Sequence, residues 1–254
     1  MRTMDGAVLV VLAVVAIGGL ASYAAWRHRQ ALQESMTRLL EREPGLRRTD
    51  HPAGLDAREL ARGFAGCPKG DRRYGVRHGV EGPLSTTMAG EAVDVHASAF
   101  EWWWEERRQN RDANGNTTTS YVTRRTMVGV TRLPVRIPDH VSVGPESVFG
   151  RLGLSRRDHQ LESDTFNRRF RVVADDRMLT VQLLDARLQQ LLLDEYTGRT
   201  VELTGDLLVL AGDPSQRDDS LTGCIGRLPA VRQDTARLLA HVPTSFWRAV
   251  DHPR

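Results

Sequence analysis

The residues that could do chemistry in this chain are eight histidines, two cysteines and a few acidic pairs. None is spaced for a recognised reaction. His140 follows Asp139 and His159 follows Asp158, but neither histidine falls in a His-x-x-x-His or other zinc spacing. Neighbours on a strand point to opposite faces, so an adjacent Asp and His are not thereby a catalytic pair. Cys67 and Cys224 are far apart and outside any Cys-x-x-Cys motif; buried, reduced thiols are expected. Asp175-Asp176 and Asp218-Asp219 could meet a cation, yet neither lies in a calcium loop, and both read as turns or helix caps. Glycines punctuate residues 63–82, but Lys69 stands between Pro68 and Gly70, which fails the phosphate-binding pattern. No Gly-x-Ser-x-Gly elbow occurs. The sequence assigns no catalytic residue, no cofactor and no metal ligand.

Binding is better represented. Trp102-Trp103-Trp104 is followed by Arg107 and Arg108, and Arg124 and Arg125 are placed to lie across a hairpin from them. Interleaved aromatic and arginine side chains suit a single-stranded nucleic-acid platform. The net charge of only +3 argues against one, because such proteins concentrate basic surface. Alternation sends Trp102 and Trp104 to one face and Trp103 to the other, so at least one face packs as core. The other offers a surface to a protein partner or to lipid. The candidate interaction surface is Trp103, Arg107, Arg108, Arg124 and Arg125.

The element with the most to say about place is at the start. From Gly6 to Trp26 there is no charged residue. The run 7–26 spans about 30 Å as a helix, the thickness of a bilayer's hydrocarbon core. Tyr23 and Trp26 sit at one end, where amphipathic rings favour the headgroup layer. A cleaved signal peptide would have a shorter apolar core and a more basic start than Arg2 against Asp5. Arg27, Arg29, Arg38 and Arg42 follow the run, so the positive-inside rule puts the rest of the chain in the cytoplasm. Reversed topology would make it an envelope-facing domain.

The remaining chain is long enough for a sizeable domain, and the full sequence's 40% hydrophobic and 26% charged content is that of a folded protein. The expected division is 1–26 as tail and transmembrane helix, 27–60 as juxtamembrane helix and linker, and 61–254 as a soluble domain. Leu32, Met36, Leu39 and Leu40 give 27–43 a helical stripe, ended by Pro44-Gly45. Residues 44–60 read as linker. Val93, Val95 and Ala97, continued by Phe100, Trp102 and Trp104, predict a strand. With Thr117–Thr131 it forms a long hairpin whose tip lies near Asn114-Gly115. Pro134 and Pro138 bracket a short or edge strand. Further expected elements are a strand over 166–174, a helix over 177–194 capped by Asp176, a strand over 201–210 broken near Gly205-Asp206, and a last helix from near Pro229. The expected class is α+β: one N-terminal transmembrane helix, then a mainly antiparallel sheet with two covering helices.

The stretch Glu162-Ser163-Asp164-Thr165-Phe166-Asn167-Arg168-Arg169-Phe170-Arg171-Val172, followed by the leucine-rich 183–192, resembles a family of uncharacterised bacterial membrane-anchored proteins, the domain of unknown function 3137. The resemblance implies an anchored domain, no known activity and no functional residues. Together these readings lead to an expectation of a cell-membrane protein with an interaction or scaffold domain, a protein partner and no nucleic acid. A lipid-headgroup or small-ligand module is the alternative.

Overall fold

The structure is a computed structural model. It describes residues 6–111, 115–145, 159–212 and 223–251, with side chains from Val14 onward. The class is α+β with a mainly antiparallel sheet. Helix α1 (Gly6–Arg42) leads into β1 (Arg47–Thr49), a 3-10 turn (Pro52–Gly54) and α2 (Ala57–Gly63). Strands β2 (Tyr74–Met88), β3 (Glu91–Arg111) and β4 (Thr117–Gly144) follow. Next come a helical turn α3 (Asp164–Asn167), β5 (Arg171–Ala174), α4 (Arg177–Leu183) and α5 (Ala186–Glu195). Strand β6 (Thr200–Ala211) and helices α6 (Gly223–His241) and α7 (Thr244–Asp251) end the fold.

The long strand β4 is the spine. Along one edge it pairs antiparallel with β3 from Arg111↔Thr117 to His96↔Arg132, and with β5 near Val143. Along the other it pairs with β6 from Val128↔Ala211 to Val143↔Val201. Strands β2 and β1 extend the sheet beyond β3. The expected short strand between Pro134 and Pro138 is instead part of this continuous β4. Proline cannot donate to a ladder, and the register with β6 shifts on both sides of Ile137, where Gly205 takes a positive φ.

Both faces of the sheet are covered, which explains the mixed parity of β3. Phe100, Trp102 and Trp104 pack on one face with Val128, Val130, Leu60, Phe64 and Cys67. Ala99 packs on the opposite face with Met36 of α1 and Ile225 and Leu228 of α6, and Val95 joins the largest cluster with Leu133 and the α4–α7 leucines. The two apolar runs, expected as one stripe, therefore serve opposite faces. More than two helices cover the sheet. Helix α6 lies against β4 at Gly129, where a Cβ would come within 2.7 Å of Thr235 Cγ2.

Other differences have local causes. Residues 44–60, expected as linker, carry β1, paired with β2, and α2, which is closed by a capping box between Asp56 and Glu59. Phe166 and Phe170 are four apart, a spacing that suits a strand and a helical turn equally. Here they stack at 4.9 Å across a turn capped by Ser163, and β5 begins only at Arg171. Arg168, awkward on an apolar strand face, is exposed on that turn. The expected helix 177–194 is two, because the Asp185 side chain accepts from Leu188 N–H at 2.8 Å and starts α5 afresh. Asp176 caps α4 as expected. Helix α6 begins before Pro229, because Ile225 and Leu228 are buried against α1 and the sheet. The hairpin tip at 112–114, Asp158, and Asp218-Asp219 lie outside the described residues.

Helix α1 has two halves. Met36 is buried and Leu32, Leu39 and Leu40 pack around it on the domain, continuing from Arg27 as the sequence predicts. From Val14 to Trp26 the large apolar side chains are exposed: Ile17 is 67% and Leu20 69% accessible. Among the described residues no helix is long and apolar enough to cross a membrane. Residues 7–13, the first part of the apolar run, lie outside the described side chains.

Candidate interaction surface

Strands β3 and β4 outrun their neighbours. Pairing with β2 stops at Tyr74↔Trp104, and pairing with β6 stops at Val128↔Ala211. Residues 105–111 and 117–123 continue alone as a two-stranded arm, about 23 Å long at the usual rise of a strand. Arg107, Arg108, Gln109, Asn110 and Thr117–Thr119 are exposed on it. Its root is pinned to the chain before β2: Asp71 accepts the Arg107 N–H at 2.7 Å, and Asp71 N–H donates to the Glu105 carbonyl at 2.8 Å.

Residues opposite one another on paired strands share a face. Trp103 is opposite Arg125, and Arg107 is opposite Tyr121, all on one face. Arg124 is opposite Trp104 and Arg108 opposite Ser120, on the other. The structure thus brings Trp103, Arg107 and Arg125 together and sets Arg108 and Arg124 behind them. Arg124 pairs with Glu106 at 3.2 Å, and Glu106 also accepts from Trp104 Nε1 at 3.0 Å. Trp102 and Trp104 are buried; Trp103 is half-buried.

Other residues join the Trp103 face that sequence reasoning did not single out. The Arg77 guanidinium lies 4.1 Å over the Trp103 ring, and Arg72 lies 5.2 Å over Tyr121. Glu101, opposite Arg77 and only 4% accessible, has Oε2 3.8 Å from Arg125 Nη1, while its Oε1 is buried without a hydrogen-bond partner. Burial raises the Glu101 carboxyl against the pull of Arg125 and Arg77. His78 sits at a β-bulge with φ 53°, and burial and then Arg77, Arg48, Arg125 and His28 lower its pKa. Three of those neighbours, Arg77, Arg48 and Arg125, are guanidinium cations, so the local field is positive. No periodicity could have shown this convergence, which depends on the bulge and on the registers of three strands.

Several described residues with catalytic potential are engaged in the fold. Cys67 is fully buried, and burial, then Glu202, push its thiol well above the usual range, which removes the thiolate a nucleophile needs. Glu202 accepts Ala65 and Gly66 N–H at 2.9 and 2.8 Å and meets His140 Nε2 at 3.4 Å, tying the turn after α2 to the sheet. His159 Nε2 lies 3.1 Å from the Ala174 carbonyl. Cys224 is half-buried, and burial followed by Glu101 pushes it up to about 11. Among the described residues no group of His, Cys, Asp and Glu side chains could hold a metal ion. No family model, no curated protein and no solved structure matches this chain.

Proposed function

We propose that the chain is a single-pass membrane protein whose α+β domain is an interaction module, with the β3–β4 arm as its contact element. The supporting observation is the distribution of exposed large apolar side chains. Val14, Val15, Ile17, Leu20, Tyr23 and Trp26 crowd one end of α1, continuous with the apolar run from Ala7, while the rest of that helix packs on the domain. A contiguous apolar surface of this kind is unfavourable in water and favourable in lipid. The arginines that follow Trp26 favour a cytoplasmic domain, and the resemblance noted in the sequence agrees with an anchored plan.

The arm adds the interaction reading. It buries little of itself and projects polar and arginine side chains beyond the sheet, where a protein partner can add contacts at small cost in rearrangement. A photo-crosslinking residue at Gln109 or Thr119 in the full chain, in cells, tests it. A discrete adduct, absent when the probe stands at Arg248, is the expected result. No adduct above that control at either position removes the arm as a contact element. For sidedness, a fluorescent protein fused after residue 254 is expected to be active and a phosphatase fusion inactive; the reverse would make this an envelope-facing domain.

A further inference from the structure

We propose that the sheet face beside the end of the anchor is a phosphate site for an anionic phospholipid headgroup, gripped by Arg77 and Arg125 beside Trp103. The proposal rests on the membrane-anchored reading for its ligand source, and on the geometry of the face for its chemistry.

Two rows of cross-strand neighbours build the site. Arg77 is opposite Glu101; in the next row Gly75, Trp103 and Arg125 lie side by side. Gly75 leaves room for the indole, since a Cβ there would approach Trp103 Nε1 to 3.3 Å. Arg77 stacks on the ring from one side. Arg125 is the neighbour of Trp103 on β4, with its side chain 57% accessible. Neither guanidinium donates a hydrogen bond to a described residue; the Arg125–Glu101 approach of 3.8 Å is too long for one. Two forks of N–H donors thus face Glu101, and Arg77 also feels Glu105 from the same strand face. With Arg48 beside His78, three guanidiniums stand against these two carboxylates, which leaves a surplus of positive charge and of donors.

The surplus is not spread over the surface. His78, flanked by Arg77 and Arg48, reports the same positive field, and α1, which carries His28, reaches this side of the sheet, where its Leu32 and Met127, the residue opposite Glu101, pack against one cluster. The Nδ1 of His28 is buried without a partner. His28 lies only two residues past Trp26, where the apolar run ends, which places the site at headgroup depth if that run spans a bilayer. Guanidinium forks match the geometry of phosphate oxygens and bind them bidentately. A part-exposed indole belongs at the same depth. The positive surplus disfavours a headgroup that carries its own cation, so the class is an anionic lipid such as phosphatidylglycerol, not phosphatidylcholine.

The test uses the full chain in a neutral maltoside detergent, titrated with dioctanoyl phosphatidylglycerol and followed by tryptophan fluorescence. Saturable binding is expected, at least about tenfold tighter than for dioctanoyl phosphatidylcholine. Arg77→Gln and Arg125→Gln should each weaken it about tenfold, the scale of a lost charge-assisted hydrogen bond, while Arg248→Gln should not. Equal binding of the two lipids, or wild-type binding by both site variants, overturns the proposal. Inorganic phosphate binding as tightly as the lipid also overturns it, by assigning the site to a free anion. The anchor reading fails separately: a chain that washes off membranes yet binds phosphatidylglycerol in this way loses its anchor and keeps its site.

Discussion

The Arg232 guanidinium donates to the Pro83 carbonyl at 2.7 Å, across 149 residues of chain. It also donates to the carbonyls of Gly82 at 3.1 Å and Ala97 at 3.3 Å. A buried arginine on α6 thereby ties that helix to β2 and β3, opposite the end where the arm projects. Burial draws its pKa down, and Glu43 near the end of α1 acts against that. The three carbonyls give the charge a set of acceptors in place of water.

Arg232→Met removes those donors and leaves carbonyl acceptors buried. The full chain should lose about 2–4 kcal/mol of stability, the range for breaking charged hydrogen bonds and orphaning their partners. Denaturant unfolding of the detergent-solubilised chain checks this. A loss under about 0.5 kcal/mol, typical of surface substitutions, would show that the clamp carries no weight.

Glu202 accepts two N–H groups of the turn that leads into Cys67. With the turn after α2 released in Glu202→Ala, Cys67 should react faster with a maleimide under native conditions, by about tenfold or more if roughly 1.4 kcal/mol of local opening free energy is lost. Cys224→Ser in the background leaves Cys67 as the sole thiol to be read. An unchanged rate would mean that the two N–H donations to Glu202 do not hold the turn.

The positive field at the arm's root has a titratable reporter. Removing one cation in Arg77→Gln should move the His78 pKa up toward its ordinary value, followed by ring-proton NMR of the full chain. Desolvation remains the first cause of the lowering, so the return should be partial. A downward or absent shift would contradict the charge assignment.

Glu101 gives a pH dependence of defined sign. Its folded pKa is raised, so the folded state holds the proton more tightly than the unfolded chain. Its contribution is most favourable below the unfolded carboxyl value and is lost as pH rises through the raised folded value. Glu101→Gln should therefore gain in melting temperature relative to the wild type as pH rises from about 4 to 7, across the carboxylate range. A gain that shrinks with rising pH would reverse the sign and place the Arg125 attraction above burial.

The hairpin and the faces of its three tryptophans were legible because a period of two and a turn signal are local properties. So were the class, the Asp176 cap and the helix after Trp26. The strand expected at Phe166 was not, since spacing by four is common to both kinds of structure and the Ser163 cap decided it. Of the candidate surface, Trp103 and Arg125 were legible as neighbours across the hairpin. Arg77, Glu101 and His28 were not: they come from separate elements, and the bulge at His78 sets the register that brings the first two opposite each other.

Alkaline carbonate extraction of membranes from cells making the full chain tests the central claim most directly. An anchored chain stays in the membrane pellet, and Ile17→Arg with Val14→Arg, which places charge within the apolar run, releases it. Recovery of the unaltered chain in the soluble fraction would contradict the anchor, and with it the place assigned to the domain.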